Sequence, residues 1–156
     1  MIRGIRIKWV NKRIALTQSH YVEKILKKFN YSDCSPVSTP MDPSVKLMPN
    51  KGMAVSQLEY SQAIGCLMYA MTSTRPDIAY AVGRLSRHTS NPSTQHWQAI
   101  QRVFKYLKGT MDYGLCYLGY LSVLEGYSDA SWVTHVIEDH SSTNGWVFLL
   151  GGGSIS

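Results

Sequence analysis

Asp129 is the residue best placed to do chemistry. The run Leu124-Glu125-Gly126-Tyr127-Ser128-Asp129-Ala130-Ser131-Trp132 reads as a strand that carries this carboxylate toward its end. A carboxylate can ligate a hard cation, but magnesium keeps its waters unless several oxygen ligands converge on it. Downstream of Asp129 the only acids are Glu138 and Asp139, in the loop before Asn144, with His135 and His140 beside them. That loop offers no cysteine and no third convergent ligand, so a surface loop is expected there rather than a metal site.

Two other groups of residues suit contact with a polyanion. Tyr80, Arg84 and Arg87 recur at i, i+4, i+7, opposite the apolar stripe of Ile78, Val82 and Leu85. Arg102 and Lys105, with Gln98 nearby, fall opposite Trp97, Ile100 and Phe104. Helical faces of Arg, Lys and amides bind phosphates without reading sequence. The competing reading is an ordinary solvated helix face. Charge distribution bears on the choice. The net charge is +6, yet residues 1–108 hold all 16 Lys and Arg with 5 acids, a balance of +11. Residues 109–156 hold no Lys or Arg and 5 acids, a balance of −5. A basic part facing a polyanion explains this asymmetry; two solvated surfaces of opposite sign also would.

The elements that must position these residues are legible in the spacing. Ile2–Val10 and Arg13–Leu16 flank Asn11-Lys12 as a hairpin, with Ile5, Ile7 and Trp9 alternating toward a half-buried face. Tyr21, Val22, Ile25, Leu26 and Phe29 recur at helical spacing, with Lys24, Lys27 and Lys28 on the other side. Pro36, Pro40, Pro43 and Pro49 forbid a regular element between them, so residues 31–54 are expected to cross the surface as a long connection. Ser56 and Glu59 have capping-box spacing ahead of a helix whose apolar face is Tyr60, Ile64, Leu67, Met68 and Met71. Gly65 within it suggests close contact with a neighbour, since glycine there costs about 1 kcal/mol relative to alanine. Thr74 and Asp77 repeat the capping spacing, and Pro76 suits a first turn. Another helix is expected from Asn91-Pro92, ending where Gly109 adopts a left-handed conformation. After Gly109 the period changes to short strand-like runs, Leu115–Leu118, Ser122–Tyr127 and Asn144–Leu150. Gly151-Gly152-Gly153 reads as a turn, and Ser154-Ile155-Ser156 as the start of a further strand.

A chain of 156 residues with 44% apolar content can bury one core or two small ones. No apolar run approaches the ~18 residues that cross a bilayer, and the N-terminus shows no apolar signal segment. Cys34, Cys66 and Cys116 lie far apart and form no metal or disulfide framework. An intracellular protein, cytoplasmic or nuclear and not secreted, is the expectation, with no membrane partner and no small-molecule substrate.

Four motifs in order carry a resemblance that covers nearly the whole chain. They are Thr74-Arg75-Pro76-Asp77-Ile78, the stretch from Arg102 to Thr110, the strand from Leu124 to Trp132, and Gly145-Trp146-Val147-Phe148-Leu149-Leu150-Gly151-Gly152. Together they resemble the Ty1/copia-type retrotransposon polyprotein, in which a reverse transcriptase runs into an RNase H domain. The resemblance implies that Asp129 matches the first of four carboxylates that hold two magnesium ions in the RNase H site. The other three belong to segments that match nothing in this sequence. It implies also that the polymerase's paired aspartates, a Tyr-x-Asp-Asp turn, lie outside this chain, which contains no Asp-Asp dipeptide. Three positions depart from the family: His140 stands where Arg is usual, Ser131 where Asp is common, and the Arg3-Gly4 region lacks an expected glycine-preceded Leu.

The expected class is α+β: a strand hairpin and helix, a three-helix thumb- or connection-like bundle, then the first strands of an incomplete RNase H-like sheet. The implied divisions are 1–30 as palm tail and following helix, 31–54 as the Pro-rich connection, 55–110 as the helical bundle, and 111–156 as an N-terminal RNase H fragment. The parent's activities are RNA-directed DNA synthesis and RNA–DNA hybrid hydrolysis with magnesium. This chain is expected to catalyse neither and to bind no cofactor tightly, with Asp129 a metal ligand only if residues from elsewhere complete the site. Two further readings are a non-catalytic module that binds an RNA–DNA hybrid or DNA duplex, and a silent remnant.

Overall fold

A computed structural model describes residues 4–10, 13–117, 123–131, 143–150 and 153–154. Strand β1 (Arg6–Val10), β2 (Arg13–Thr17) and β3 (Gly114–Tyr117) form one sheet in that order. Helices α1 (Ser19–Lys28), α2 (Gln57–Ser73), α3 (Ala79–Ser86) and α4 (Thr94–Gly109) follow β2, with a short 3-10 turn at Pro76–Ile78. A second sheet holds β4 (Leu124–Ser131), β5 (Thr143–Leu150) and β6 (Gly153–Ser154) in sequence order. The fold is thus mixed α+β, as the sequence implied. Two compact units are distinguishable: Met1–Lys8 with Ala15–Leu115, and Trp9–Ile14 with Cys116–Ser156.

In the first unit the core is helical. Val22, Ile25 and Leu26 of α1 are buried together with Tyr60, Ala63, Ile64, Leu67 and Ala70 of α2. Ala81, Val82 and Leu85 of α3 join Ile100, Val103, Phe104 and Leu107 of α4. Each large aliphatic or aromatic side chain so buried stabilises by about 1.5–3 kcal/mol. Aromatic rings tie α1 to α4: Phe29 stacks on Phe104 at 5.0 Å, and Tyr31 lies 5.3 Å from Phe104. Helix α1 ends in a Schellman motif. Asn30 takes φ 62°, the Tyr31 N–H donates to the Leu26 carbonyl and the Asn30 N–H to that of Lys27.

The connection over 31–54 contains no helix or strand, as its prolines require. It is nevertheless fastened down. Leu47 is buried, while Val37, Met41 and Val45 pack against the core. The Gln95 amide donates to the Lys46 carbonyl, and Asn50 bonds to Asn91 and to the Pro92 carbonyl.

Several expectations change. Ser56 does cap α2 by accepting from the Glu59 N–H, but Met68 is 45% exposed and Ala63 and Ala70 take its place in the core. Gly65 is exposed, and a methyl group added there would meet nothing within 4 Å, so no close packing explains it. Thr74 closes α2 instead of opening the next helix, and its hydroxyl donates to the buried Gln18 side chain. Helix α4 is capped by Ser93, not by Asn91-Pro92. Gly109 is its last helical residue and has no positive φ; Pro36 lies 3.0 Å from where a Cβ would sit, so close passage of the connection is what the glycine permits. In the hairpin, Ile7 and Trp9 are 44% and 74% exposed, so the alternation there does not mark a half-buried face.

In the second unit β4 and β5 pair antiparallel along their full length, with Asp129 opposite Gly145, Tyr127 opposite Val147 and Gly126 opposite Phe148. The Phe148 ring lies over Gly126, 3.0 Å from the position of a Cβ there. β6 adds only the pairs Leu149–Ser154 and Leu150–Gly153. The Tyr117 hydroxyl fastens its end by donating to the Ser154 carbonyl at 2.7 Å. His135, Glu138, Asp139 and His140, the glycines Gly151 and Gly152, and Ile155-Ser156 lie outside the described residues.

Candidate functional site

The sequence-predicted cations divide into two environments. Helix α3 buries Ala81, Val82 and Leu85, which turns Tyr80, Gly83 and Arg87 outward. Tyr80 is 70% exposed. The Arg84 guanidinium donates to the Tyr80 hydroxyl at 3.2 Å and lies 6.0 Å from its ring centroid. No carboxylate pairs with Arg84 or Arg87 among the described residues. This outer face therefore offers solvent an aromatic ring and the Arg87 cation, with Arg84 half-buried against the ring.

Arg102 and Lys105 are placed differently. Both line a groove of about 410 Å³ between α4 and the connection, walled on the far side by residues such as Val37, Met41 and Val45. Arg102 reaches across it: its Nη2 donates to the Thr39 hydroxyl at 2.8 Å, and its Nη1 lies 4.0 Å from the Asp42 carboxylate. Its Nε is buried without a hydrogen-bond partner. Asp42 itself accepts from the Ser44 N–H and hydroxyl, which hold its carboxyl below the usual range, with Arg102 adding to the effect. Arg102 is thus a tie between α4 and the connection, not a freely solvated charge.

Two polar clusters beneath these faces escaped the sequence reading. Arg75, in the Thr-Arg-Pro-Asp stretch, is buried to 1% exposure and forks onto Asp77 through Nε and Nη2, at 3.0 and 2.7 Å. It also donates to the carbonyl and hydroxyl of Thr110, and sits 5.7 and 5.6 Å from the rings of Tyr106 and Tyr113. Burial raises the Asp77 carboxyl, but hydrogen bonds from Arg75 and Tyr106 outweigh it and hold the group below its ordinary value. This cluster welds the start of α3 to the end of α4.

The second cluster centres on His96, which is fully buried. Its Nδ1 accepts from the Ser93 N–H at 3.0 Å while the His96 backbone N–H donates to the Ser93 hydroxyl, a capping box with histidine in the usual Glu or Gln position. That assigns the proton to Nε2, which donates to the Met48 carbonyl at 3.0 Å. His88 stacks on it with ring centroids 3.9 Å apart. Burial lowers the His96 imidazole, opposed only by the Met48 carbonyl. Burial and the positive charges of His96, Arg84 and Arg87 lower His88. The signal in the sequence was Ser93-x-x-His96, which becomes a capping box only when histidine is admitted as an acceptor.

Asp129 lies near the end of β4 as expected, with an exposed side chain. The register puts it on the same face as Glu125 and Tyr127, whose hydroxyl donates to the Glu125 carboxylate at 2.8 Å. Opposite it, Gly145 leaves the space empty. Among the described residues no three His, Cys, Asp or Glu gather into a metal-binding group. A single exposed carboxylate with Glu125 along the strand does not fit a two-ion site, which needs ligands converging from several elements.

Helices packed on one another and two small antiparallel sheets define a mixed α+β chain, and comparison with known proteins gives its family. The chain belongs to the Ty1/copia-type retrotransposon Pol polyprotein family. It is 40% identical over 154 residues to the Pol polyprotein of transposon TNT 1-94 from Nicotiana tabacum, covering 94% of this chain and 11% of that protein. It is 39% identical over 155 residues to that of transposon RE2 from Arabidopsis thaliana, covering 98% of this chain and 10% of that protein. A secreted RxLR effector protein of Plasmopara viticola is 46% identical over 103 residues, 65% of this chain and 72% of that protein. The chain spans about a tenth of the length of the Pol polyproteins it matches. No protein-family model and no solved structure matches it. Among the described residues no helix is long and apolar enough to cross a membrane.

Proposed function

We propose that this chain is a non-catalytic, nucleic-acid-contacting segment of a retrotransposon polyprotein whose parent acts as RNA-directed DNA polymerase and RNase H. The observation that carries the reading is the outer face of α3, where Tyr80 and Arg87 stand exposed and Arg84 lies half-buried against Tyr80, neither arginine having a carboxylate partner among the described residues, in a part of the sequence rich in Lys and Arg. Such a face binds phosphates by charge and is indifferent to base sequence. Catalysis is absent from the proposal because two-metal chemistry needs converging carboxylates. These 156 residues contain no paired aspartates, and Asp129 stands with no second element's ligand beside it among the described residues. Magnesium belongs to the parent's activities; this chain's own part is to hold an RNA–DNA hybrid or DNA duplex. The division into palm tail (1–30), connection (31–54), bundle (55–110) and RNase H-like fragment (111–156) forms part of the same reading, and its site of action is intracellular.

The test is duplex binding by fluorescence anisotropy across a salt series. Affinity is expected to fall steeply between low and physiological salt, and the double substitution Arg84→Glu, Arg87→Glu is expected to abolish it. Arg102 is left intact in that variant because its reversal would also cut the tie to Thr39. Equal binding by the reversed and native chains would show that the α3 face is merely solvated. Hybrid cleavage in magnesium that vanishes in Asp129→Asn would overturn the non-catalytic part.

A further inference from the structure

The groove between α4 and the connection is built more like a ligand site than like a gap between packed elements. Its volume of about 410 Å³ lies within the ~300–1,000 Å³ typical of small-molecule sites. Its two walls differ in chemistry. From α4, Gln98, Arg102 and Lys105 recur at i, i+4, i+7 and present an amide, a guanidinium and an ammonium along one rail. From the connection, Val37, Met41 and Val45 present an apolar wall.

The rail is short of acceptors. The buried Nε of Arg102 has no partner, and the nearest carboxylate, Asp42, sits 4.0 Å away and is already held by Ser44. A buried donor left unpaired is costly, and its usual explanation is an acceptor that arrives with a ligand or a water. Lys105 lies beside Arg102 on the same helix face and enters no ion pair among the described residues. An anionic group with several oxygens would pair with the Lys105 ammonium and with the Arg102 side chain where it lines the groove. An apolar, planar body attached to that group would then cover Met41 and Val45, and its polar edge would meet the Gln98 amide, which can donate and accept at once. Phosphate, planar ring and hydrogen-bonding edge are the parts of one nucleotide.

We propose that this groove binds a single nucleotide unit, with the phosphate at Arg102 and Lys105 and the base against Met41 and Val45 within reach of Gln98. The proposal deepens the nucleic-acid reading above, since the unit can belong to a strand lying on the bundle or diffuse as a free nucleotide. Phosphate recognition is common to both sources.

The experiment uses the full chain labelled with nitrogen-15 and with carbon-13 in the methionine methyls. It is titrated separately with adenosine 5′-monophosphate, with inorganic phosphate and with a short single-stranded oligoadenylate. The monophosphate is expected to shift the Met41 methyl and the Arg102 Nε–H signal together. Inorganic phosphate is expected to move only the latter, and at least tenfold more weakly. Ala99→Leu, which adds bulk to the groove lining while preserving every charge, is expected to weaken the monophosphate at least tenfold and to leave salt-dependent duplex binding intact. A response to the oligoadenylate alone would identify the strand as the source, and a response to both would admit the free nucleotide; either supports the site. Duplex binding without any shift at Met41 and Arg102 would overturn the groove assignment and leave the α3 reading standing. Shifts at both residues without duplex binding would do the reverse. Equal affinity for phosphate and monophosphate would also overturn the proposal, because the apolar wall would then contribute nothing.

Discussion

Arg75 shows how one buried side chain can hold several segments at once. Its guanidinium satisfies the Asp77 carboxylate and the end of α4 at Thr110, inside a cage made by Tyr106 and Tyr113. Removing one partner of a buried pair leaves an uncompensated charge and costs about 3–5 kcal/mol. Asp77 is partly exposed, so the lower end of that range applies. Arg75→Ala is therefore expected to lose about 3 kcal/mol in urea unfolding, whereas Arg87→Ala on the open face should change stability by less than about 0.5 kcal/mol. Similar losses for the two would mean that the buried fork contributes nothing special. The stacked histidines make a second residue-scale prediction. Both imidazoles have lowered pKa in the fold, so the folded state disfavours their protonation. Their contribution is complete above the ordinary imidazole value of about 6.5 and is lost as pH falls from there through the lowered folded values. Protonation of His96 would place a second N–H against the Ser93 N–H and a charge at the positive end of α4. Stability measured by urea unfolding should decline between about pH 7 and 5, and His88→Gln combined with His96→Gln should flatten that decline. An unchanged slope in the double variant would remove the pair from the explanation.

Glycines separate what the elements need from what the sequence merely contains. Gly114 opens β3 where the backbone of β2 passes so close that an added Cβ would collide with the Leu16 carbonyl oxygen and press on Thr17. Backbone cannot yield as a side-chain tip can, so Gly114→Ala is expected to destabilise by about 1–3 kcal/mol. Gly65 is the counterpart: helical, exposed and facing open space. Gly65→Ala is expected to stabilise by about 0.8–1 kcal/mol through helix propensity alone. Thermal melts of the two variants should therefore move in opposite directions; a shared direction would contradict the local geometry at one of them. The comparison also shows what the residues disclosed about the elements. Helices α1 to α4 were legible from apolar spacing, as along Ile100, Phe104 and Leu107, and cap and spacing agree at α2 through Ser56, whereas the starts expected at Thr74 and Asn91-Pro92 fall elsewhere. Gly65 was read as a packing site because a costly residue invites a reason, yet the reason is not in the contacts. The connection was legible as irregular from its prolines, but not its attachment to α4. That depends on long-range partners such as Gln95 with Lys46 and Arg102 with Thr39, for which short-range spacing carries no signal. The positions of the basic residues were legible only in part: helical spacing sets Arg87 outside and Arg84 half-buried beside Tyr80, but it could not show that a connection residue 63 positions away bonds Arg102.

At the scale of the molecule the two units differ in how they close their apolar surface. In the first, helices cover one another and Tyr60, Ala63, Leu67, Ile100, Val103 and Phe104 are all fully buried. In the second, Leu124, Trp146, Phe148 and Leu150 fall on one face of the β4–β5 ladder and are 66%, 62%, 42% and 48% exposed. Tyr127 and Val147, on the opposite face, are 58% and 37% exposed. Hydrogen bonding is uneven too, since β6 pairs with only Leu149 and Leu150 of β5. A strand pair with so little covered surface is stabilised mainly by cross-strand contacts, and isolated pairs of this kind are marginal in water. Its uncharged stretch Trp146–Leu150, with one edge mostly unpaired among the described residues, is a template for pairing with other chains. Native-state hydrogen exchange should therefore divide along the chain. Amides of α2, α3 and α4 should open only with global unfolding, and those of β4 and β5 should exchange orders of magnitude faster through local opening. Light scattering should rise with concentration, and replacing Val147 and Leu149 by Lys should suppress it by charging the strand. A monomeric chain whose strongest protection lies at Trp146–Leu150 would contradict this division, because the second sheet would then have a source of stability that its exposed faces do not provide.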